Sequence, residues 1–198
     1  MSSSEVFDIE KFGNSTVNQL QLKIMSAFAA DMIGITDETE LAWYVARKVV
    51  SKLGFKDCVV YLCRDEPGYL RQVATIGEKN PVADVIINPL KIAVGNGVTG
   101  RVAQSRKAMI IDDLETCEFY IPDVELARSE VCVPIMCTDQ VFGVIDSEDK
   151  RKNYFCQNHL EILSFVAALM AAKLELIQKN WNLFKKTGIY RKTSSVIG

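Results

Sequence analysis

The sequence predicts an α+β domain built on a largely antiparallel sheet, with helices gathered on one face. Two observations carry this. Segments of strand character outnumber the helices that could serve as crossovers between parallel strands. The longest stretches of helical period stand at the two ends of the chain instead of alternating with strands. With 198 residues there is room for one well-buried domain with extra elements, and not for two full-sized ones.

From about Ser15 to Gly34, apolar residues Val17, Leu20, Ile24, Phe28 and Met32 recur at three and four spacings and draw one stripe on a helix. In "TDETELAWYVARKVVSKLGF" Thr36 or Asp37 is the N-cap, acids fill the first turn, Leu41, Tyr44, Val45, Val49 and Leu53 form the apolar face, and Gly54 is the stop. The period then changes. "DCVVYLCR" and "LRQVATIG" read as two strands joined through the Pro-Gly turn of "EPGY". "VIINPLKIAV", interrupted by Pro89, leads to a glycine loop, a short helix over Val98 to Ser105 and a strand over Ala108 to Asp112. "LETCEFYIPDVELA" is irregular, with a short helical stretch expected near Val124 to Ala127. "SEVCVPIMCTDQVFGVIDSE" is a second hairpin turning at Thr138 to Gln140. A helix of about 30 residues closes the chain, carrying Phe155, Leu160, Leu163, Val166, Leu169, Met170, Leu174 and Ile177.

Hydrophobic residues make up 48% of the chain, charged ones 24%, and the net charge is -2, so partners are to be sought at sites and not in bulk charge. Neither nucleic acid nor membrane is an expected partner. The N-terminus lacks a basic region followed by an apolar run, which sets a cytoplasmic expectation. Cys58, Cys63, Cys117, Cys132, Cys137 and Cys156 lie mostly within apolar runs and read as buried thiols. The pairs Cys58/Cys63 and Cys132/Cys137 share C-x4-C spacing, but residues five apart on a strand face opposite ways, so no metal site is expected from them.

The stretch "KIAVGNGVTGRVAQSRKAMIIDD" spells G-x-G-x-x-G at Gly95, Gly97 and Gly100. A dinucleotide site requires an unbroken strand before the glycines and a helix long enough to cross the sheet after them. Pro89 and Lys91 interrupt the strand, and only about eight residues separate Gly100 from the next one. The glycines instead suit a tight entry turn, a short helix opened by Val98, and close backbone packing at Gly100.

That block, with "SEVCVPI", "VFGVIDSEDKRKNYF" and "HLEILSFVAALMAAKLE" after it in the same order and spacing, resembles the GAF domain family. The resemblance runs from about Thr36 to Ile177. It implies a GAF/PAS-like antiparallel sheet of five or six strands with helices on one face and a ligand cup on the other. It also implies terminal helices that pack together and often extend into a dimer. The domain expectation is thus a dimer-forming helix over residues 1–35, the GAF domain over 36–178, and a helix end and tail over 179–198.

Within this frame Gly97, Val98 and Thr99 open a helix whose free N–H groups favour an anion or carbonyl oxygen, or are capped by solvent or the protein itself. Phe119 and Tyr120 line a pocket or plug the core. Glu130 and Asp146 stand at the start of one hairpin strand and near the end of the other, where carboxylates would bind an amino or amide group. The alternatives are a loop tie at Glu130 and a turn cap at Asp146. His159 is a surface or satisfied core residue, and "DKRK", Asp149 to Lys152, a solvated turn.

Two branches of the family are tested by residue. A cyclic-nucleotide signature would be matched by Lys150 and Phe155, but Asp149 replaces an asparagine, and His159 with Leu160 stand where an acidic pair belongs. The free methionine-(R)-sulfoxide reductases carry a cysteine where this chain has Thr99, leaving Cys117 as the candidate thiol. The function expected is therefore a non-catalytic sensory domain in signal transduction. It would bind a small molecule through Gly97, Val98, Thr99, Cys117, Phe119, Tyr120, Glu130 and Asp146, pair as a homodimer and act on a separate effector. A thiol-dependent reductase or a ligand-free docking module is the alternative. The sequence names no cofactor.

Overall fold

Helix α2 (Glu38–Leu53) shows how local chemistry sets the boundaries. The Asp37 side chain accepts from the N–H groups of Thr39 and Glu40, at 2.8 and 2.9 Å, and Gly54 ends the helix in the left-handed conformation at φ 73°. Leu41, Val45 and Val49, one turn apart, are fully buried. The computed structural model describes residues 14–64, 66–77, 85–86, 88–122 and 127–187. Besides α2 these form α1 (Asn14–Met32), β1 (Cys58–Leu62), β2 (Tyr69–Ile76), β3 (Lys91–Ala93), α3 (Gly97–Ser105), β4 (Met109–Ile111), a 3-10 turn at Leu114–Thr116, β5 (Ser129–Cys137), β6 (Gln140–Asp149) and α4 (Gln157–Thr187).

The strands form a six-stranded sheet in the order β3-β2-β1-β6-β5-β4, and every pairing is antiparallel. The α+β class and the antiparallel sheet expected from the sequence are what the structure shows. Alternation along β1 sends Cys58, Val60 and Leu62 to one face and Val59 and Tyr61 to the other. On the first face α1, α2 and α4 cover the sheet, burying Phe28, Leu41, Ile145, Leu163, Val166 and Met170 in one core. Each such side chain contributes roughly 1.5–3 kcal/mol by leaving water. On the second face α3 and the 3-10 turn bring Val98, Val102 and Leu114 over Val59, Tyr61, Cys132 and Val144.

Three elements differ from the sequence reading. Phe155 precedes α4 and packs edge-on against Phe55 at 5.2 Å, because Asn153 takes a left-handed turn at φ 54° and delays the helix to Gln157. Leu114–Thr116 folds as a 3-10 turn, capped by the Asp113 carboxylate accepting from Glu115 N–H at 3.1 Å. α3 lies on the opposite face from the other helices. Of the helical stretch expected near Val124 to Ala127, residues 124–126 lie outside the described residues and Ala127 is not helical; the side chains of Val17 and Leu20 on the expected α1 stripe also lie outside them. Ile24, Phe28 and Met32 of that stripe are buried.

Candidate ligand site

The second face of the sheet, floored by β1, β6 and β5, is the one on which the ligand cup was expected, and a packed cluster under α3 covers it. The wall on that face begins at the glycine loop. A Cβ at Gly100 would collide with the Ala93 carbonyl oxygen, so only glycine lets α3 sit this close to the end of β3. Gly97, at φ 64°, opens α3 in a conformation that L side chains rarely adopt, and Ile121 lies over it. Val98 and Thr99 are buried, and Val98 packs in the same cluster as Cys117, Phe119 and Tyr120 of the connection that closes the cup. The Arg101 guanidinium stacks over the Phe119 ring at 4.3 Å, holding that connection against α3.

On the floor, register places Cys132 opposite Asp146 and Glu130 opposite Glu148, while Val59 flanks Asp146 from β1. Residues two apart on a strand share a face, so Glu130 and Cys132 point into the cup together. Glu130 is 3% exposed, Cys132 0% and Asp146 6%. One carboxyl oxygen from each acid and the Cys132 sulfur all lie within 4.8 Å of one another. A carboxyl oxygen of Glu130 thus lies beside one of Asp146 in a buried place, where two negative charges oppose each other. Burial first, then the Asp146 charge and hydrogen bond, then the charges of Glu148 and Cys117, push the Glu130 carboxyl well above its ordinary range. Burial, the same two acids and a hydrogen bond to Asp146 push the Cys132 thiol up as well. The result is a desolvated cluster of three acidic groups.

The structure thus brings Glu130 and Asp146 together with Cys132, and packs Val98, Cys117, Phe119 and Tyr120 in the cluster on the same face of the sheet. Gly97 and Thr99 shape the wall behind Val98. Cys132 was missed as a site residue because the sequence reading weighed it only against Cys137. The signal was present in Glu130 and Cys132 at i and i+2, on a strand paired with the one carrying Asp146. Cys58 joins the helix-side core, Cys63 is exposed, and Cys137 stands 3.8 Å from Glu175, so neither C-x4-C pair converges. His159 is buried among Phe55, Tyr154 and Phe155, its Nδ1 accepting from Cys156 N–H at 3.2 Å. The basic turn is neutralised locally: Arg151 pairs with Asp149 at 2.8 Å and Lys152 with Asp113 at 2.9 Å. A separate cleft of about 410 Å³, lined by Thr39, Trp43, Arg64, Arg71, Val73 and Pro89, opens between α2 and β2. It lies on the helix-covered side of the sheet, away from the cup chemistry.

A cupped antiparallel sheet roofed by a short helix, with terminal helices packed behind it, defines a small sensory and regulatory class of α+β domain. The family model for the GAF domain matches residues 35–175, and the chain belongs to the GAF family. It is 30% identical over 91 residues to the nitrogen fixation protein AnfA of Azotobacter vinelandii, covering 42% of this chain and 17% of that protein. It is 28% identical over 80 residues to GAF domain-containing protein A of Dictyostelium discoideum, covering 40% of this chain and 51% of that one. The chain thus spans about half or less of the curated relatives it matches. Among solved structures, the free methionine-R-sulfoxide reductase of Neisseria meningitidis, in complex with its substrate, superposes with a TM-score of 0.74 at 16% identity, covering 90% of this chain and 99% of that one. At that identity the likeness is one of fold. Among the described residues, no helix is long and apolar enough to cross a membrane.

Proposed function

We propose that the chain is a non-catalytic sensory GAF domain whose cup admits a small ligand carrying positive charge or N–H donors. The observation that supports it is the buried Glu130–Asp146 carboxyl pair on the cup floor. Burial and the Asp146 charge hold the Glu130 carboxyl toward its protonated form. A cationic group entering the cup replaces that proton and lets both carboxylates ionise. Binding would order the connection through Cys117, Phe119 and Tyr120 and bias the packing of α1 and α4 behind the sheet, which requires unequal affinity for two arrangements of those helices. In this reading α1 and α4 also join two copies of the chain, and a separate effector reads the change.

A thermal denaturation screen against amines, amino acids and guanidinium compounds tests this. A ligand at a hundred times its Kd stabilises by about 2.7 kcal/mol, a rise of roughly 5–10 °C in Tm for a chain of this size. The rise is expected in the wild type and not in Glu130→Gln or Asp146→Asn. Equal rises in all three would place the ligand elsewhere.

The second reading is a thiol-dependent reductase. It is favoured by Cys117, which packs on the cup face of the sheet, and by the fold shared with the Neisseria enzyme. Thr99, where those enzymes carry a cysteine, weighs against it. Turnover of free methionine-(R)-sulfoxide with thioredoxin, lost in Cys117→Ser, would establish the reductase; no turnover would leave the sensory reading in place.

A further inference from the structure

We propose that the cationic occupant of the cup is a divalent metal ion of the zinc, iron or cobalt type, held by Glu130, Cys132 and Asp146. The inference rests on the reading of the cup as a cation-accepting site and names the chemistry of its occupant. Two neighbouring strands supply three donor atoms of different character within 4.8 Å of one another. A point in the plane of three atoms at that separation lies about 2.8 Å from each, and zinc takes oxygen at roughly 2.0–2.2 Å and sulfur at about 2.3 Å. An inward movement of about half an ångström per side chain therefore closes the site. One thiolate with two carboxylates suits a borderline ion, whereas magnesium and calcium prefer oxygen alone. Three protein ligands leave a fourth position open toward the connection that carries Cys117 and Tyr120, the arrangement of a site that receives an exchangeable ligand.

Glu148, paired with Glu130 across the two strands, stands two residues from Asp146 and so on the same face of β6, and a further carboxylate borders the site.

The test is a titration of the purified, metal-stripped full chain with Co²⁺. The expected result is a thiolate-to-cobalt charge-transfer band in the near ultraviolet with visible bands of tetrahedral cobalt, displaced by Zn²⁺. Both should be absent in Cys132→Ser and retained in Cys63→Ser, with circular dichroism showing that each variant folds. Should Cys132→Ser fail to fold, loss of the visible bands in Glu130→Gln carries the same information. A band that survives Cys132→Ser, or cobalt binding with no thiolate band, overturns the proposal. If amines raise the wild-type Tm and Co²⁺ leaves the spectrum featureless, the metal assignment falls and the cationic cup stands. If neither binds, both fall.

Discussion

At Glu130, burial and the charges of Asp146, Glu148 and Cys117 all act to keep the carboxyl protonated. The folded chain then binds more protons here than the unfolded chain, so this residue makes stability fall as pH rises. The fall begins near the ordinary carboxyl pKa and ends at the raised one, at up to about 1.4 kcal/mol per pH unit between them. Glu130→Gln keeps a hydrogen-bond donor toward Asp146 without the titration. Urea unfolding between pH 5 and pH 8 should show a flatter profile for this variant than for the wild type; parallel profiles would mean that Glu130 is ionised throughout. Gly100 is the second sensitive residue. Gly100→Ala drives a methyl group into the Ala93 carbonyl and should cost roughly 1–3 kcal/mol, measured by the same unfolding, since backbone on both sides cannot yield as a flexible side chain does.

Among the elements, α2 was fully legible in the sequence because its signals are local: the Asp37 cap, the apolar spacing and the Gly54 stop lie within one stretch. The two hairpins were legible for the same reason. α3 was found, but its place on the cup face was not, since nothing within nine residues states which side of a sheet they cover. The cluster on the floor was read only in part. Glu130 and Asp146 stood out as acids in apolar strands, whereas Cys132 passed as core filling, and its role depends on the β5–β6 register. α1 and α4 leave Leu22, Leu176, Trp181 and Leu183 exposed by half or more, as is Ile33 just after α1, while packing on each other. Apolar surface of this kind on two adjoining helices supports the homodimer in the proposed function. Leu176→Glu with Leu183→Glu should convert a dimer to a monomer in light scattering without lowering Tm greatly. A wild type that is already monomeric at high concentration would rule that arrangement out.

Across the whole molecule, one sheet separates two environments. The helix face is apolar and closed by three helices, and its role is to hold β1, β6 and β5 in register. The cup face places three buried acidic groups under a short helix and a connection rich in aromatic residues. A fold maintained only for docking would gain stability by filling that floor with aliphatic side chains, because a buried acid costs more than it returns unless something compensates it. The central claim is that a positively charged ligand provides that compensation. Native mass spectrometry of the protein purified without added ligand, set against its denatured mass, tests it most directly. The account predicts extra mass released on denaturation from the wild type and missing from Glu130→Gln, whereas equal native and denatured masses, or the same extra mass in the variant, would contradict it.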